Sequence, residues 1–268
     1  MAGSASAAEE KLRAGDLAAC LADLQGQVRS NPAAVQPRIF LAQLMMVLGE
    51  WERALTQLNV IAEMDAGAIP MTRAYTSAIQ CERLRGAVLN GQHTPLIFGD
   101  PEPWLALIIQ SVAALAAGRT EQADTIRSEA FAAAPATSGT LNGQQFEWIS
   151  DADSRLGPVL EVLLNGAYYW VPFSRIAAVD FEPPADLRDM VWMPAQFTWS
   201  NGGQAVGFVP TRYVGTEVAE DSALRLARKT QWTSIGTDAF AGIGQRVLAT
   251  SADDVPLLEV RELRLSGS

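Results

Sequence analysis

The stretch Gly15-Asp16-Leu17, with Leu21, Leu24 and Pro32 behind it, returns as Gly49-Glu50-Trp51 with Leu55 and Leu58, a shift of 34 positions. A looser third copy follows in Gly118-Arg119, Ala123 and Pro135, where the glycine and the proline stand as far apart as Gly15 and Pro32. The physical sense of the pattern is a helix pair. A small residue sits at the tight connection, a large apolar residue two positions on closes the packing, and proline ends the second helix because it has no N–H to donate. Leu17, Cys20, Leu21, Leu24 and Val28 form one helical stripe, and Leu55, Leu58, Ile61 and Ala62 form another.

That period is the one of tetratricopeptide (TPR) repeats, so the first half reads as a TPR-like helical domain of six helices over residues 11–135. Residues 1–10 read as a flexible N-terminus. Pro70 and Pro103 fit the first turns of helices over 71–89 and 104–117, and Gly91 and Gly118 fit their stops. Three prolines between Gln92 and Pro103 make that span a loop, in which Leu96, Ile97 and Phe98 call for burial.

Beyond Pro135 the period changes. Residues 136–150, rich in Thr, Ser, Gly and Asn, read as a connector. A short helix is expected over 153–164, capped by Asn165-Gly166. Strand-like runs follow at 168–173, 175–181, 197–199, 205–210, 246–250 and 256–263, with short helices at 187–192 and 222–229. Asn201-Gly202 is a strong hairpin signal, and Asp253-Asp254 a second turn. The fold class is therefore α+β: a TPR-like α-helical repeat half followed by a small β-rich α+β domain over 151–268.

Composition narrows the function. The formal charge is −10, and residues 1–150 and 151–268 each carry 10 basic and 15 acidic side chains, so there is neither an acidic tail nor a basic face. Nucleic acid and anionic membranes both require clustered cations, and neither is expected as a partner. The N-terminus has no basic start or apolar stretch of a signal peptide, and the apolar run at 104–117 is too short to span a bilayer, so the expected location is cytoplasmic. Cys20 and Cys81 read as core residues. With His93 the only histidine, a zinc site or a His-dependent triad finds no ligand set, and no phosphate-binding glycine loop is present. No cofactor, metal or catalytic residue is expected. The one chemical alternative is a carboxylate-dependent hydrolase using Asp151 with Asp153, or Asp100 with Glu102, although Asp153 equally suits a helix N-cap. A TPR module that captures acidic tails is disfavoured by the lack of surplus basic residues in the first half.

Several blocks carry a resemblance: the segment Gly49-Glu50-Trp51-Glu52-Arg53-Ala54-Leu55-Thr56-Gln57-Leu58, then Thr94-Pro95-Leu96-Ile97-Phe98-Gly99-Asp100-Pro101-Glu102-Pro103-Trp104, then Phe146 through Pro158, Tyr168-Tyr169-Trp170-Val171-Pro172-Phe173, Asp186-Leu187-Arg188-Asp189, Trp192-Met193-Pro194-Ala195 and Gly244-Gln245-Arg246. Together they resemble the TagJ (ImpE, or SciE-type) accessory proteins of bacterial type VI secretion systems. The resemblance implies a non-enzymatic adaptor that binds the N-terminal helix of the small sheath subunit and connects indirectly to the sheath-recycling AAA+ ATPase. Such a helix needs a groove. Two places suggest themselves: the concave face of the helical half, and an aromatic cleft between the halves built from Trp148, Asp151, Asp153, Arg155, Tyr168, Tyr169 and Trp170. The second is preferred, because the polar run beside its aromatics (Glu147, Asp151, Asp153 and Arg155) could pair with basic residues on a helix, and Trp and Tyr dominate binding hot spots.

Overall fold

The computed structural model describes residues 6–266. Helices α1 (Ala7–Ala14) and α2 (Leu17–Ser30), α3 (Val35–Val47) and α4 (Trp51–Met64), and α6 (Pro103–Ala116) and α7 (Thr120–Ala133) form three hairpins. A single long helix, α5 (Ile69–Leu89), lies between the second and third. The repeating glycines are the turns of these hairpins: Gly15, Gly49 and Gly118 have φ of 79°, 71° and 74°, a left-handed conformation that costs only glycine nothing. Seven helices thus precede Pro135 among the described residues, not six. Residues 7–10 of the expected flexible start belong to α1, which opens on a Ser6–Glu9 capping box, while residues 1–5 lie outside the described part. Pro70 and Pro103 sit in the first turns of α5 and α6.

The second half is built on a nine-stranded sheet. Its strands are β1 (Leu96–Ile97), β2 (Gly139–Leu141), β3 (Gln144–Phe146), β5 (Val159–Leu164), β6 (Ala167–Pro172), β7 (Ile176–Phe181), β8 (Trp192–Trp199), β9 (Gln204–Pro210) and β14 (Glu262–Leu265), in the spatial order β1-β6-β5-β9-β8-β7-β14-β2-β3. A three-stranded sheet joins β4 (Ile149–Asp151) to β12 (Val247–Thr250) and β13 (Asp254–Pro256), and β10 (Thr230–Gly236) pairs with β11 (Ala239–Gly244). The short helix α8 (Ser222–Arg225) and a 3-10 turn, Leu187–Met190, stand where the two short helices were expected, each shorter than its apolar run suggested.

Three expectations change here. The segment 153–164 is not a helix: a turn leads into β5. Val-Leu-Glu-Val-Leu-Leu is buried at every position, so it lacks the alternation that would have marked a strand, and a short apolar run does not declare its period. Asn165 and Gly166 are both left-handed, with φ of 51° and 77°; they make the tight turn of the β5–β6 hairpin rather than a helix cap. The 136–150 connector holds β2 and β3, a hairpin turned by Asn142-Gly143 with φ of 49° and 83°, and the start of β4. In the 92–103 loop, β1 pairs in parallel with β6 and Phe98 packs edge-on against Tyr169, but Leu96 remains 50% exposed. Asn201-Gly202 does turn β8 into β9.

The two halves share one core. Val159, Leu163, Tyr168, Trp170 and Trp192 point from the sheet into the same cluster as Leu44, Leu58, Tyr75 and Ile108 of the helices. The opposite face of β5 and β6 presents Leu160, Val162 and Val171 to a second core closed by Ile149, Leu248 and Leu257. Both faces of the central strands are therefore covered, which is why Tyr168-Tyr169-Trp170 tolerates bulky side chains on both sides. Cys20 and Cys81 are buried and unpaired.

Candidate functional site

Glu161 is the one charged residue within the buried run of β5, and at 0% exposure it must find partners or lose its charge. Arg85 of α5 supplies a fork, with Nε to Oε1 and Nη2 to Oε2, both at 2.9 Å. Arg246 donates from the other side, and the Tyr168 hydroxyl donates to Oε1. Trp170 Nε1 in turn donates to the Tyr168 oxygen at 2.6 Å. Arg246 also pairs with Asp151 and donates through Nε to the Pro210 carbonyl at 2.8 Å. Asp151 accepts from the Tyr213 hydroxyl at 3.1 Å and from the Asp153 amide at 2.8 Å. Arg85 additionally reaches Glu82 at 2.7 Å and the Arg212 carbonyl at 2.7 Å, while Arg212 donates to the Val47 carbonyl at the end of α3, where a cation suits the helix dipole. The result is a buried ionic seam between α5 and the sheet, with two guanidinium groups balanced by two carboxylates at its centre.

The two central carboxylates differ in electrostatics. Burial alone would raise Glu161, but Arg85 and Arg246 outweigh it and hold the carboxyl at about 2. Asp151 shares its single guanidinium with Glu161 and has Asp153 beside it; burial pushes its carboxyl up to about 6, with Arg246 opposing.

This geometry relocates most of the sequence candidates. Asp151, Asp153, Tyr168 and Trp170 are between 0% and 2% exposed and lie out of a partner's reach. The aromatic cleft is filled: Tyr168 and Trp170 serve the seam. Asp153 caps no helix; it takes Arg155 through two nitrogens and the Gly242 amide. Arg155 and Tyr169 are half-buried, and Trp148 alone of the seven is exposed, at 43%. Asp151 and Asp153 do not reach solvent, and Glu102 accepts from the Trp104 indole at 2.8 Å and from Arg175 at 3.3 Å, while Asp100 is exposed. Among the described residues, no group of three or more His, Cys, Asp or Glu side chains could hold a metal ion, and no helix is long and apolar enough to cross a membrane.

The open site lies elsewhere. A groove of about 820 Å³ runs between α5 and a part of the sheet that no helix covers. Its floor comes from alternation: Pro194 and Gln196 of β8 are exposed while Met193, Ala195 and Phe197 point into the second core. Across the strands the register sets Phe208 beside Pro194, and Val206 beside Gln196, Asp180 and Glu262 in one row. Arg73, Ala74, Ser77 and Ala78 of α5 form the facing wall. Val206 is 72% exposed. On the helical half a smaller depression of about 380 Å³ presents Arg29, Arg38 and Arg53 over Val28, Leu41 and Met45. Sequence reading missed the seam and the groove alike. The lone Glu161 inside an apolar run was the available signal for the first.

Residues 143–264 match the family described as ImpE protein. Over 256 residues the chain is 47% identical to the type VI secretion system accessory component TagJ of Pseudomonas aeruginosa, covering 96% of this chain and 90% of that protein. An X-ray crystal structure of a protein from Vibrio parahaemolyticus superposes with a TM-score of 0.89, covering 98% of each chain at 21% identity, and so shares the fold. On the strength of the first two matches, the chain belongs to the TagJ/ImpE family of type VI secretion accessory components.

Proposed function

We propose that this protein is a non-enzymatic, cytoplasmic adaptor of the type VI contractile sheath that binds the N-terminal helix of the small sheath subunit and is thereby linked to the recycling ATPase. The observation that carries the reading is the groove beside α5, whose floor includes exposed Val206 and Pro194 and half-buried Phe208, an apolar surface of the kind that receives an amphipathic helix. Of the carboxylates that could have supported hydrolysis, Asp151, Asp153 and Glu102 are tied to arginines or to an indole instead, unlike the free, solvent-reachable pair such chemistry needs. The accessory role named for the Pseudomonas relative agrees with an adaptor.

Calorimetric titration with a synthetic peptide of the small sheath subunit's N-terminal helix tests it. Binding at micromolar concentration or tighter is the expected result. A folded protein that releases no heat with that peptide would refute the partner.

A further inference from the structure

Between Leu17 and Met64 the chain has three cations, Arg29, Arg38 and Arg53, and the fold gathers all three on one depression of about 380 Å³. Each helix gives it a single face. Gln25, Val28 and Arg29 of α2, Arg38, Leu41 and Met45 of α3, and Arg53, Thr56 and Gln57 of α4 follow the three- and four-residue spacing that sets side chains one above another. Helix α3 packs against both α2 and α4, so its buried Leu41 and Met45 form the floor and the arginines stand around them. No carboxylate is among the lining residues. An overall count of charges hides this segregation, because Asp23, Glu50, Glu52 and Glu63 on the same stretch outnumber the arginines.

Two of the arginines are not placed for the sake of their helices. Arg38 is the fourth residue of α3 and Arg53 the third of α4, near ends where the helix dipole favours an anion over a cation. Nor is the cluster neutralised. Arg38 donates to the uncharged Gln57 side chain at 2.9 Å and to the Pro32 carbonyl at 3.2 Å, and its Nε is buried without an acceptor. Arg29 is exposed and makes no ion pair among the described residues. Arg53 alone has a carboxylate, that of Glu50, in an exposed pair of the kind that contributes little and exchanges readily. A positive rim around an apolar floor thus stands on a chain whose formal charge is −10.

We propose that this depression binds an acidic segment of a partner polypeptide, distinct from the sheath helix, whose carboxylates meet Arg29, Arg38 and Arg53 while an apolar side chain rests on Val28, Leu41 and Met45. The occupant is a polypeptide because the cations come from three separate helices. One small anion meets one or two of them, whereas successive acidic side chains meet all three, and Gln25 and Thr56 offer hydrogen bonds to the peptide groups between. The site does not depend on the groove beside α5.

The probes are short synthetic peptides in which Glu or Asp is interleaved with Leu or Met in every register. Beside them stand copies with Gln and Asn in place of the acids, and copies with Ser in place of the apolar residues. Labelled full-length protein is screened against the array, and the best peptide is titrated by fluorescence anisotropy into wild type, Arg29→Gln, Arg53→Gln, their double variant and Val28→Asp, each checked by its thermal melt. Arg29 and Arg53 are exposed, so their replacement does not threaten folding. The acidic, apolar-bearing peptides should bind and both control sets should not. Each arginine variant should weaken binding several-fold and the double variant roughly tenfold, and Val28→Asp, which sets a carboxylate in the floor, should abolish it. Raising the salt from about 50 mM to about 0.5 M should remove most of the affinity as screening shortens. The proposal is overturned if no acidic peptide binds the folded wild type at low salt, or if the arginine variants bind equally well. Displacement of the peptide by an equal concentration of inorganic phosphate would make this a small-anion site, and displacement by the sheath-subunit peptide would make it part of the sheath site; either also overturns it. A protein that binds the acidic peptides but not the sheath-subunit peptide keeps this site and loses the sheath partner.

Discussion

Replacing Glu161 by Gln removes one charge and changes almost no volume, so its effect isolates the electrostatics of the seam. The carboxylate accepts four hydrogen bonds, two from Arg85 and one each from Arg246 and Tyr168. A carboxamide can accept on only one end. Whichever way it turns, its NH2 faces an Arg85 guanidinium N–H, donor against donor. Arg85 and Arg246, 1% and 0% exposed, are then left with Asp151 as the only fully buried anion between them. Leaving a buried charge uncompensated in this way costs about 3–5 kcal/mol, out of the 5–15 kcal/mol that holds a typical domain. At ~2–4 °C per kcal/mol for a chain of this size, that is a fall in Tm of roughly 10 °C. Urea unfolding followed by tryptophan fluorescence suits the measurement, since the Trp170 and Trp192 indoles both donate into the seam, to Tyr168 and Glu82. The double variant Arg85→Met/Glu161→Met keeps Arg246 paired with Asp151 and replaces the missing pair by apolar groups, so it should be the more stable of the two. A Glu161→Gln protein within about 1 kcal/mol of wild type, or a double variant worse than the single, would refute the reasoning.

Asp151 and Glu161 give stability opposite slopes with pH. The folded pKa of Asp151, about 6, lies above the unfolded value near 3.9, so its contribution is full below ~4 and is lost as pH rises through 6; two units at 1.36 kcal/mol each make that about 3 kcal/mol at most. Glu161, held at about 2, contributes above its unfolded pKa of ~4.3 and loses this as pH falls toward 2. Melts across pH 2–8 should therefore peak near pH 4–5, and Asp151→Asn should flatten the limb between pH 4 and 6; an unchanged limb would remove Asp151 as its source. Trp170→Ala, at a residue 0% exposed, should cost about 3–5 kcal/mol through cavity formation and the lost bond to Tyr168, seen as a lower midpoint in urea; a variant as stable as wild type would mean that the indole is not packed as described.

Much of the helical half was legible because its signals are local. Gly15, Gly49 and Gly118 each mark a connection that only a left-handed residue closes cheaply, and Pro70 and Pro103 mark helix starts. In the sheet, Asn201-Gly202 was read as a hairpin, while the same dipeptide at 142–143 and 165–166 was read as connector and as helix cap. What differs is the flanking pattern. Strand β8 alternates, whereas β5 is buried on both faces and carries no period at all. The site was less legible than the fold. Tyr168 and Trp170 were expected to line a partner cleft, but they serve Glu161, whose cationic partners Arg85 and Arg246 stand 76 and 85 residues from it along the chain. No spacing rule reaches across that distance; only the isolated acid within an apolar strand announced that a cation must come from elsewhere.

The seam and the groove are two consequences of one helix placement. Arg85 lies toward the C-terminal end of α5, and the groove-lining residues, Arg73 to Cys81, precede it on the same helix. A helix attached to a sheet only by apolar contacts can slide, because hydrophobic burial has no direction. The bidentate fork onto Glu161 does have direction, since both nitrogens must meet both oxygens. It fixes the rotation of α5 about its axis and its height above β5, and so sets the distance from Ala74 and Ser77 to Val206. Variants that loosen the fork without unfolding the protein would therefore widen the distribution of groove widths. A partner helix would then have to bear the cost of ordering that wall, so the seam would weaken binding without touching the partner.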